Sequence, residues 1–326
     1  MITAAQERAQ RNRDTIFVED GEILAREEWP GQQFVMRIRA PRCAAAAAAG
    51  SFVHLTCDDA LPMRRPMSIM RVGEDWIEIL FKIVGRGLGL LARKQPGDVI
   101  SVLGPIGKPF TLDAGRPHSL LIGGGVGIPP MVFVADAMRA DPRFEPVAIL
   151  GSEIPFPFER RASALPFPGA DDGVNSTMPL LDDWGVPTRL TSLQGFDGCF
   201  EGYVTDLARC WLETADPAAR SKTMIYTCGP TPMLKAVASL AAEYGVACQV
   251  SLEEYMACAV GGCAGCAVRV NLPDGPAMQR VCVDGPVFDG AEIDWDEMIA
   301  RLGTYVEEEK VARDHYCRLR EKEAKR

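Results

Sequence analysis

The sequence predicts a multidomain β and α/β protein: an antiparallel β-barrel over residues 1–115, a parallel-sheet α/β domain over 116–247, and a small cysteine-bearing domain with a helical C-terminal extension over 248–326. Three observations predict it. Short β-branched runs separated by turns fill the first third, as in a small barrel. From about His118, a strand, a glycine loop, a helix and another strand follow one another, the pattern of a βαβ unit. Four of the chain's 11 cysteines then gather between Cys258 and Cys282.

In the barrel region the strand-like runs are 34–38, 52–55, 76–84 and 99–103, with one helical stretch, 88–94, after the Gly85-Arg86-Gly87 turn. The alanine run 44–49 reads as a loop insertion. In the α/β region, strand 120–122 leads through glycines into a helix ending at Arg139, then strand 146–150. A second unit runs from strand 224–227 through Cys228-Gly229-Pro230 and a helix to about Tyr244, ending in strand 247–251. The Pro- and Gly-rich stretch 154–173 between them reads as a surface excursion. The charge-rich segment 295–326 reads as a solvated helix.

At 326 residues the chain can build two or three cores. A formal net charge of -9 argues against a nucleic-acid partner, whose phosphates need clustered cations, and against general affinity for anionic membranes. The most apolar run, 119–135, is broken by Gly123, Gly124, Gly125, Gly127, Pro129 and Pro130, so no membrane span is expected. The first residues lack a signal-peptide core, and a cytoplasmic location is expected. An odd cysteine count in a large chain favours metal or redox chemistry over a disulfide framework. Most of the seven scattered cysteines read as small buried side chains.

The cysteine cluster carries the most chemistry. Cys258, Cys263 and Cys266 have C-x4-C-x2-C spacing, and Cys282 follows at a distance, as in plant-type ferredoxins. Four thiolates must converge on two irons, and Gly261, Gly262 and Gly265 are expected to allow the tight loop. A structural zinc site is the alternative, although zinc ligands usually come as two short knuckles. In Leu121-Ile-Gly-Gly-Gly-Val-Gly-Ile-Pro-Pro130 a glycine loop between strand and helix can present N–H groups to a pyrophosphate, or can serve close packing. Pro129 or Pro130 suits the first helical turn. Glu153 is the nearest candidate for a ribose contact. Arg64-Arg65-Pro66-Met67-Ser68 offers an arginine for phosphate and a hydroxyl for a ring; alternatively it is a basic surface turn.

These motifs in this order, Arg-Pro-Met-Ser, the glycine loop ending in Pro-Pro, and Cys228-Gly-Pro, resemble the ferredoxin–NADP reductase superfamily. The stretch from Glu253-Glu-Tyr-Met-Ala-Cys258 to Cys266, with Arg280-Val-Cys282-Val-Asp-Gly-Pro-Val-Phe288, resembles the electron-transfer subunits of NAD-dependent dihydroorotate dehydrogenase. The resemblance covers about 21–295. It implies an FAD-binding β-barrel, a nucleotide-binding α/β domain and a small [2Fe–2S] domain. Arg65, Pro66, Met67 and Ser68 match its flavin motif, with Arg65 on the FAD pyrophosphate and Ser68 near the ring. Lys82, Ile83 and Val84 match the strand beside the flavin, and Gly87 and Leu88 the phosphate turn, where Leu88 replaces a threonine. Gly123, Gly124, Gly125 and Gly127 match the NAD-binding elements, as do Gly229 and Pro230, with Cys228 in the catalytic position. Cys258, Cys263, Cys266 and Cys282 match the cluster ligands.

The resemblance further implies an FMN-containing dihydroorotate dehydrogenase catalytic subunit as partner, in an assembly of two plus two chains. Electrons would pass from it through the cluster and FAD to NAD in pyrimidine biosynthesis. The small residues around Cys263 and an apolar surface at Gly285-Pro-Val-Phe288 are expected to receive it. A rival enzyme reading is the small subunit of a ferredoxin:NADP transhydrogenase or a sulfide- or hydrogenase-linked reductase, relatives that often lack the first cluster cysteine. A rival of another class is a redox-sensing flavoprotein without turnover.

Overall fold

The structure is a computed structural model and describes residues 15–303 apart from 60 and 62. The first part comprises β1 (Phe17–Trp29), β2 (Gln33–Arg39), helix α1 (Pro41–Ala46), β3 (Phe52–Leu55), β4 (Arg65–Val72), β5 (Trp76–Lys82), α2 (Arg86–Leu91) and β6 (Val99–Ile106). The six strands close into an antiparallel barrel in the order β1-β2-β5-β4-β3-β6. Alternation builds its core: in β2, Met36 and Ile38 are fully buried while Arg37 and Arg39 point outward.

Two barrel strands fall outside the runs expected from sequence. Acidic residues interrupt the β-branched signal of β1, and Pro66 sits at the second position of β4, where a missing donor is tolerated near a strand's start. The alanine run is likewise not a loop insertion: its first part forms α1. The Glu19 carboxylate accepts the Arg42 and Cys43 N–H groups at 2.9 and 2.8 Å, and Cys43 and Ala44 bury against the barrel.

The α/β unit follows: β7 (His118–Gly124), a 3-10 turn (Gly125–Gly127), α3 (Ile128–Arg139), β8 (Glu145–Gly151), the short pair β9 (Arg161–Ala162) and β10 (Ser176–Thr177), α4 (Pro179–Asp183), β11 (Thr188–Thr191), α5 (Val204–Thr214), α6 (Pro217–Ser221), β12 (Thr223–Cys228), α7 (Thr231–Tyr244) and β13 (Ala247–Ser251). Beyond lie the hairpin β14 (Ala267–Leu272) and β15 (Gly275–Arg280), then β16 (Val287–Asp289) and α8 (Trp295–Gly303). The main sheet runs β11-β8-β7-β12-β13-β16, parallel except for β16. The cysteine segment is therefore spliced into the sheet, leaving after β13 and returning at β16.

Two expectations about the periphery are refined. The 154–173 stretch is anchored: Phe156 and Phe167 are buried, and the buried Arg189 guanidinium donates to Leu165 O at 2.8 Å and lies 5.3 Å from the Phe167 ring. The start of the C-terminal helix is packed as well as solvated. Met298 is buried, and Arg301 donates to Ala267 O at 2.6 Å. The remainder of the expected helix lies outside the described residues. Among the described residues no helix is long and apolar enough to cross a membrane.

Helix α3 lies against β4, joining sheet to barrel. An alternating ladder spans the same seam: Arg37 and Arg71 lie 4.2 and 5.7 Å from the Trp76 ring, and Arg71 and Arg139 lie 6.0 and 4.6 Å from Trp184. Glu78 pairs with both barrel arginines at 2.8 and 3.5 Å, which removes their mutual repulsion. Each such cation–ring contact contributes about 0.5–1 kcal/mol at an exposed site. Trp184→Ala should therefore lower stability by about 1–2 kcal/mol in urea unfolding, and Trp184→Phe by less.

Candidate functional site

The glycine loop sits where β7 and β12 end side by side, with Gly123 in register with Cys228. Close packing dictates some of its glycines. A Cβ on Gly127 would lie 2.2 Å from Cys228 O, and one on Gly124 would lie 2.4 Å from Met233 Sδ. Gly125 differs: its φ is +54° and nothing lies within 4 Å of its missing Cβ. Close packing thus accounts for glycine at 124 and 127, and the backbone at Gly125 is open. Prolines occupy the first turn of α3, as expected. Gly229 and Pro230 close the other side, with Gly229 and Gly124 stacked beneath Met233. Burial, then the Glu253 charge, pushes the Cys228 thiol well above its usual range, so Cys228 meets the site as a neutral thiol.

The two adjacent arginines separate cleanly. Arg64 is a strut of the barrel: its guanidinium donates to His54 O at 3.0 Å, Ser101 O at 2.9 Å and Ser101 Oγ at 2.8 Å. Arg65 donates through Nη1 to Met63 O and Arg64 O, while its Nε and Nη2 lie over Gly87, 3.1 and 3.3 Å from where a Cβ would be. That face carries two N–H directions toward the start of α2, where Gly85 adopts φ +86° beside open space. The arrangement fits the pyrophosphate of FAD. Pro66 and Ser68 are half-buried on β4, whereas Met67 and Leu88 are buried among the barrel core. Lys82 ends β5, the Ile83 N–H is held by Gln32 O at 3.0 Å, and the exposed Val84 offers an apolar edge. The 3-10 turn Gly125–Gly127 touches β5, so flavin motif, Lys82 strand and glycine loop meet at one seam. His54, fully buried in the neighbouring β3, is held down to about 4 by burial and then by Arg64, and stays neutral.

The four cluster cysteines come together as two pairs. The Cys258 thiol interacts with that of Cys263, and the Cys282 thiol with that of Cys266. Among the described residues no three ligating side chains converge as a single ion would require. Two pairs suit two irons. Burial would raise the Cys258 thiol, but the backbone N–H groups of Val260, Cys263 and Gly262 and the Cys263 thiol outweigh it and bring it down to about 7. Burial and the Cys266 thiol push Cys282 up to about 12.

The loop's conformational demands fall only partly where expected. Left-handed φ values belong to Ala259 (+55°), Gly261 (+80°) and Ala264 (+55°), not to Gly262 or Gly265. The latter two glycines instead lie near sulfur: a Cβ there would be 4.0 Å from Cys258 Sγ and 3.6 Å from Cys263 Sγ. The apolar segment at 285–288 is also corrected. Gly285, Pro286 and Phe288 are buried, because β16 pairs with β13 and the Gly285 carbonyl accepts Lys108 N–H at 2.6 Å. The exposed apolar groups near the cysteines are instead Tyr255, 83% exposed, and Val260, 51% exposed. An aromatic side chain in a segment so rich in small residues was the available sequence signal.

At the same carboxyl end of the sheet as the glycine loop, where Gly151 of β8 is in register with Gly124, Glu153 is exposed just past β8, with Gln194 Nε2 3.5 Å from its carboxylate. The nearby cations are engaged. Arg161 binds Asp182 and Asp183, and Arg160 donates to Asp197 O at 2.9 Å.

An antiparallel barrel carrying a flavin-type arginine turn, a glycine-lined parallel sheet and a paired-thiol loop define an iron–sulfur flavoprotein reductase. Residues 253–294 match the iron–sulfur cluster binding domain of dihydroorotate dehydrogenase B. The electron transfer subunit of dihydroorotate dehydrogenase B (NAD(+)) from Desulforamulus reducens is 31% identical over 282 residues, covering 85% of this chain and 98% of that relative. The counterpart from Geobacillus sp. strain WCH70 is 33% identical over 255 residues, covering 76% and 86%. Among solved structures, NADH-dependent reduced ferredoxin–NADP oxidoreductase, studied for flavin-based electron bifurcation, superposes with a TM-score of 0.72 at 27% identity, covering 91% of this chain and 98% of that one. The ferredoxin reductase of carbazole 1,9a-dioxygenase shares the fold, with a TM-score of 0.54 at 19% identity over 71% of this chain and 67% of that one. The chain belongs to the family of dihydroorotate dehydrogenase B electron transfer subunits.

The division of labour between the arginines is testable. Arg65→Ala should weaken FAD binding by about 1.5–3 kcal/mol with little change in stability. Arg64→Ala should instead destabilise the barrel by roughly the same amount, because it strips three partly buried acceptors of their donor. Flavin titration and urea unfolding of both variants check this.

Proposed function

We propose that the chain passes electrons from an FMN-containing dihydroorotate dehydrogenase subunit through a [2Fe–2S] cluster and FAD to NAD, in the cytoplasm, as part of pyrimidine biosynthesis. The observation that carries this is the paired-thiol loop, with Tyr255 and Val260 exposed beside it, fixed to the same frame as the flavin turn and the glycine loop. A bound flavin exchanges a hydride with a nicotinamide and single electrons with a cluster, which makes it the natural switch between them.

The chain's own residues have assignable tasks in this reading. Cys258 and Cys263 would hold one iron, and Cys266 and Cys282 the other. Arg65 would bind the FAD pyrophosphate, and the Ser68 hydroxyl would face the ring. The open backbone at Gly125, with Gly123, Gly124 and Gly127 behind it, would admit the dinucleotide phosphates. Cys228, Gly229 and Pro230 would bound the nicotinamide, with the buried neutral thiol excluding water there. Glu153 would accept from the ribose 2′-OH and repel a 2′-phosphate.

A second reading has one observation in its favour, the likeness to NADH-dependent reduced ferredoxin–NADP oxidoreductase. In that reading the chain is the small subunit of a transhydrogenase. Cys258 favours the first reading, since a complete set of four thiols is present.

Purified under anaerobic conditions, the chain should contain about two iron and two labile sulfide per FAD, the stoichiometry of one binuclear cluster. It should reduce dyes with NADH yet not oxidise dihydroorotate. Adding the FMN subunit from the same cell should restore dihydroorotate-dependent NAD reduction. Exclusive pairing with a different redox enzyme would shift the assignment to the second reading, and absence of any turnover would shift it to a sensor.

Nucleotide choice gives a separate test. With Arg160 and Arg161 engaged and the exposed Glu153 carboxylate placed to repel phosphate, kcat/KM for NADH should exceed that for NADPH by about tenfold or more, equivalent to ~1.4 kcal/mol. Glu153→Gln should narrow the ratio.

A further inference from the structure

We propose that Arg280 is a positioning residue for the iron–sulfur cluster, clamping the loop of the first two cysteines to the turn that carries the fourth. The inference rests on the reading of Cys258, Cys263, Cys266 and Cys282 as ligands. Three of those ligands lie on one loop, but Cys282 arrives from beyond a hairpin, so something must fix the distance between the two segments. Side-chain rotamers of cysteine are too short to absorb a loop displacement.

Arg280 makes that connection in both directions. Its Nη1 donates to the Gly261 carbonyl at 2.8 Å, between Cys258 and Cys263. Its own carbonyl accepts the N–H groups of Val283, Asp284 and Gly285 at 3.0, 2.7 and 3.3 Å, which folds the turn around Cys282. The Asp284 carboxylate closes the arrangement, accepting the Arg280 backbone N–H at 2.9 Å and lying 3.6 Å from Nε. Gly261 is shaped to this contact: at φ +80° its missing Cβ would fall 2.5 Å from Val283 Cγ2 and 3.3 Å from Arg280 Nη1. Arg301 grips the same loop past Cys266 by donating to Ala267 O at 2.6 Å. A hydrogen bond between Val281 N–H and Cys266 O at 3.0 Å completes the register.

Two consequences separate a clamp from generic packing. The loop should be ordered by Arg280 even without iron, because the contacts are protein–protein. In addition, the guanidinium offsets the Asp284 carboxylate at the loop of Cys258 and Cys263; with a cluster bound there it would favour the reduced, more negative form and raise the potential.

The test compares wild type with Arg280→Lys and Arg280→Gln, and with Arg269→Gln as a control that removes a cation from the adjoining hairpin, paired there with Asp294. Iron and sulfide content of the wild type examines the ligand reading by itself. Hydrogen exchange over 259–265 in apo chain, and the cluster midpoint potential by electron paramagnetic resonance titration, examine the clamp. Arg280→Gln should exchange faster over 259–265, lose cluster faster and titrate at a lower potential, with FAD content unchanged. Arg280→Lys should keep the potential close to wild type while exchange stays raised, since it restores charge but not the planar fork. Wild-type exchange and potential in Arg280→Gln, or equal changes in Arg269→Gln, would overturn the proposal. Should Arg280→Gln fail to retain FAD, Arg280→Lys decides: unchanged exchange over 259–265 refutes the clamp, and faster exchange upholds it.

Discussion

The backbone of the glycine loop packs against the backbone of Cys228–Gly229, leaving no room for a side chain on Gly127, whose Cβ would lie 2.2 Å from Cys228 O. The approach fixes where α3 starts and therefore how it crosses β4, the strand that bears Arg65 and Ser68. It also places the end of β12 at the same level as the end of β7, so that Cys228 and Gly125 face one seam. A flavin and a nicotinamide must stack to exchange a hydride, and the geometry that would permit it is set by this one backbone contact. The Arg–Trp ladder along the seam then limits how far barrel and sheet can pivot.

The cysteine unit is joined to both other parts rather than tethered to one. It leaves the sheet after β13 and rejoins it as β16, while Gly285 accepts from Lys108 at the end of the barrel strand β6. A one-electron centre must hold a constant distance to the flavin, since electron transfer is steeply sensitive to separation. Anchoring at both ends of the segment meets that requirement. The same anchoring explains why the 285–288 segment, apolar in sequence, is interior: an apolar strand next to an open sheet edge pairs with it. On the outer face of the loop, Tyr255 and Val260 stay exposed.

Two of the three non-glycine residues with left-handed φ among the described residues lie in that loop; the third is Gln32, in the β1–β2 turn. Ala259 and Ala264 hold left-handed φ values, each costing about 1–2 kcal/mol relative to ordinary backbone. In return the amides of Val260, Gly262 and Cys263 turn toward the Cys258 sulfur, which favours its thiolate. At 262 and 265 neither φ nor space demands glycine, since a Cβ there would make ordinary contact with the neighbouring sulfurs.

The sequence by itself determined the three-part order, the nucleotide-binding βαβ units and the cysteine set, because these rest on local periodicity and on ligand spacing that survives any packing. It also nominated Arg65 and Glu153 as candidates, from residue type and motif order. Only the tertiary structure decided which of the adjacent arginines braces the barrel, as this depends on Ser101 and His54 across the strands. Strands β1 and β4 were illegible because acidic residues and a proline mask a register that barrel closure enforces. The burial of Phe288, the anchoring of Phe156 and Phe167 and the grip of Arg280 on Gly261 likewise join residues far apart in sequence. Such contacts are set by the sheet's register and by the return of the chain at β16, which no local pattern encodes.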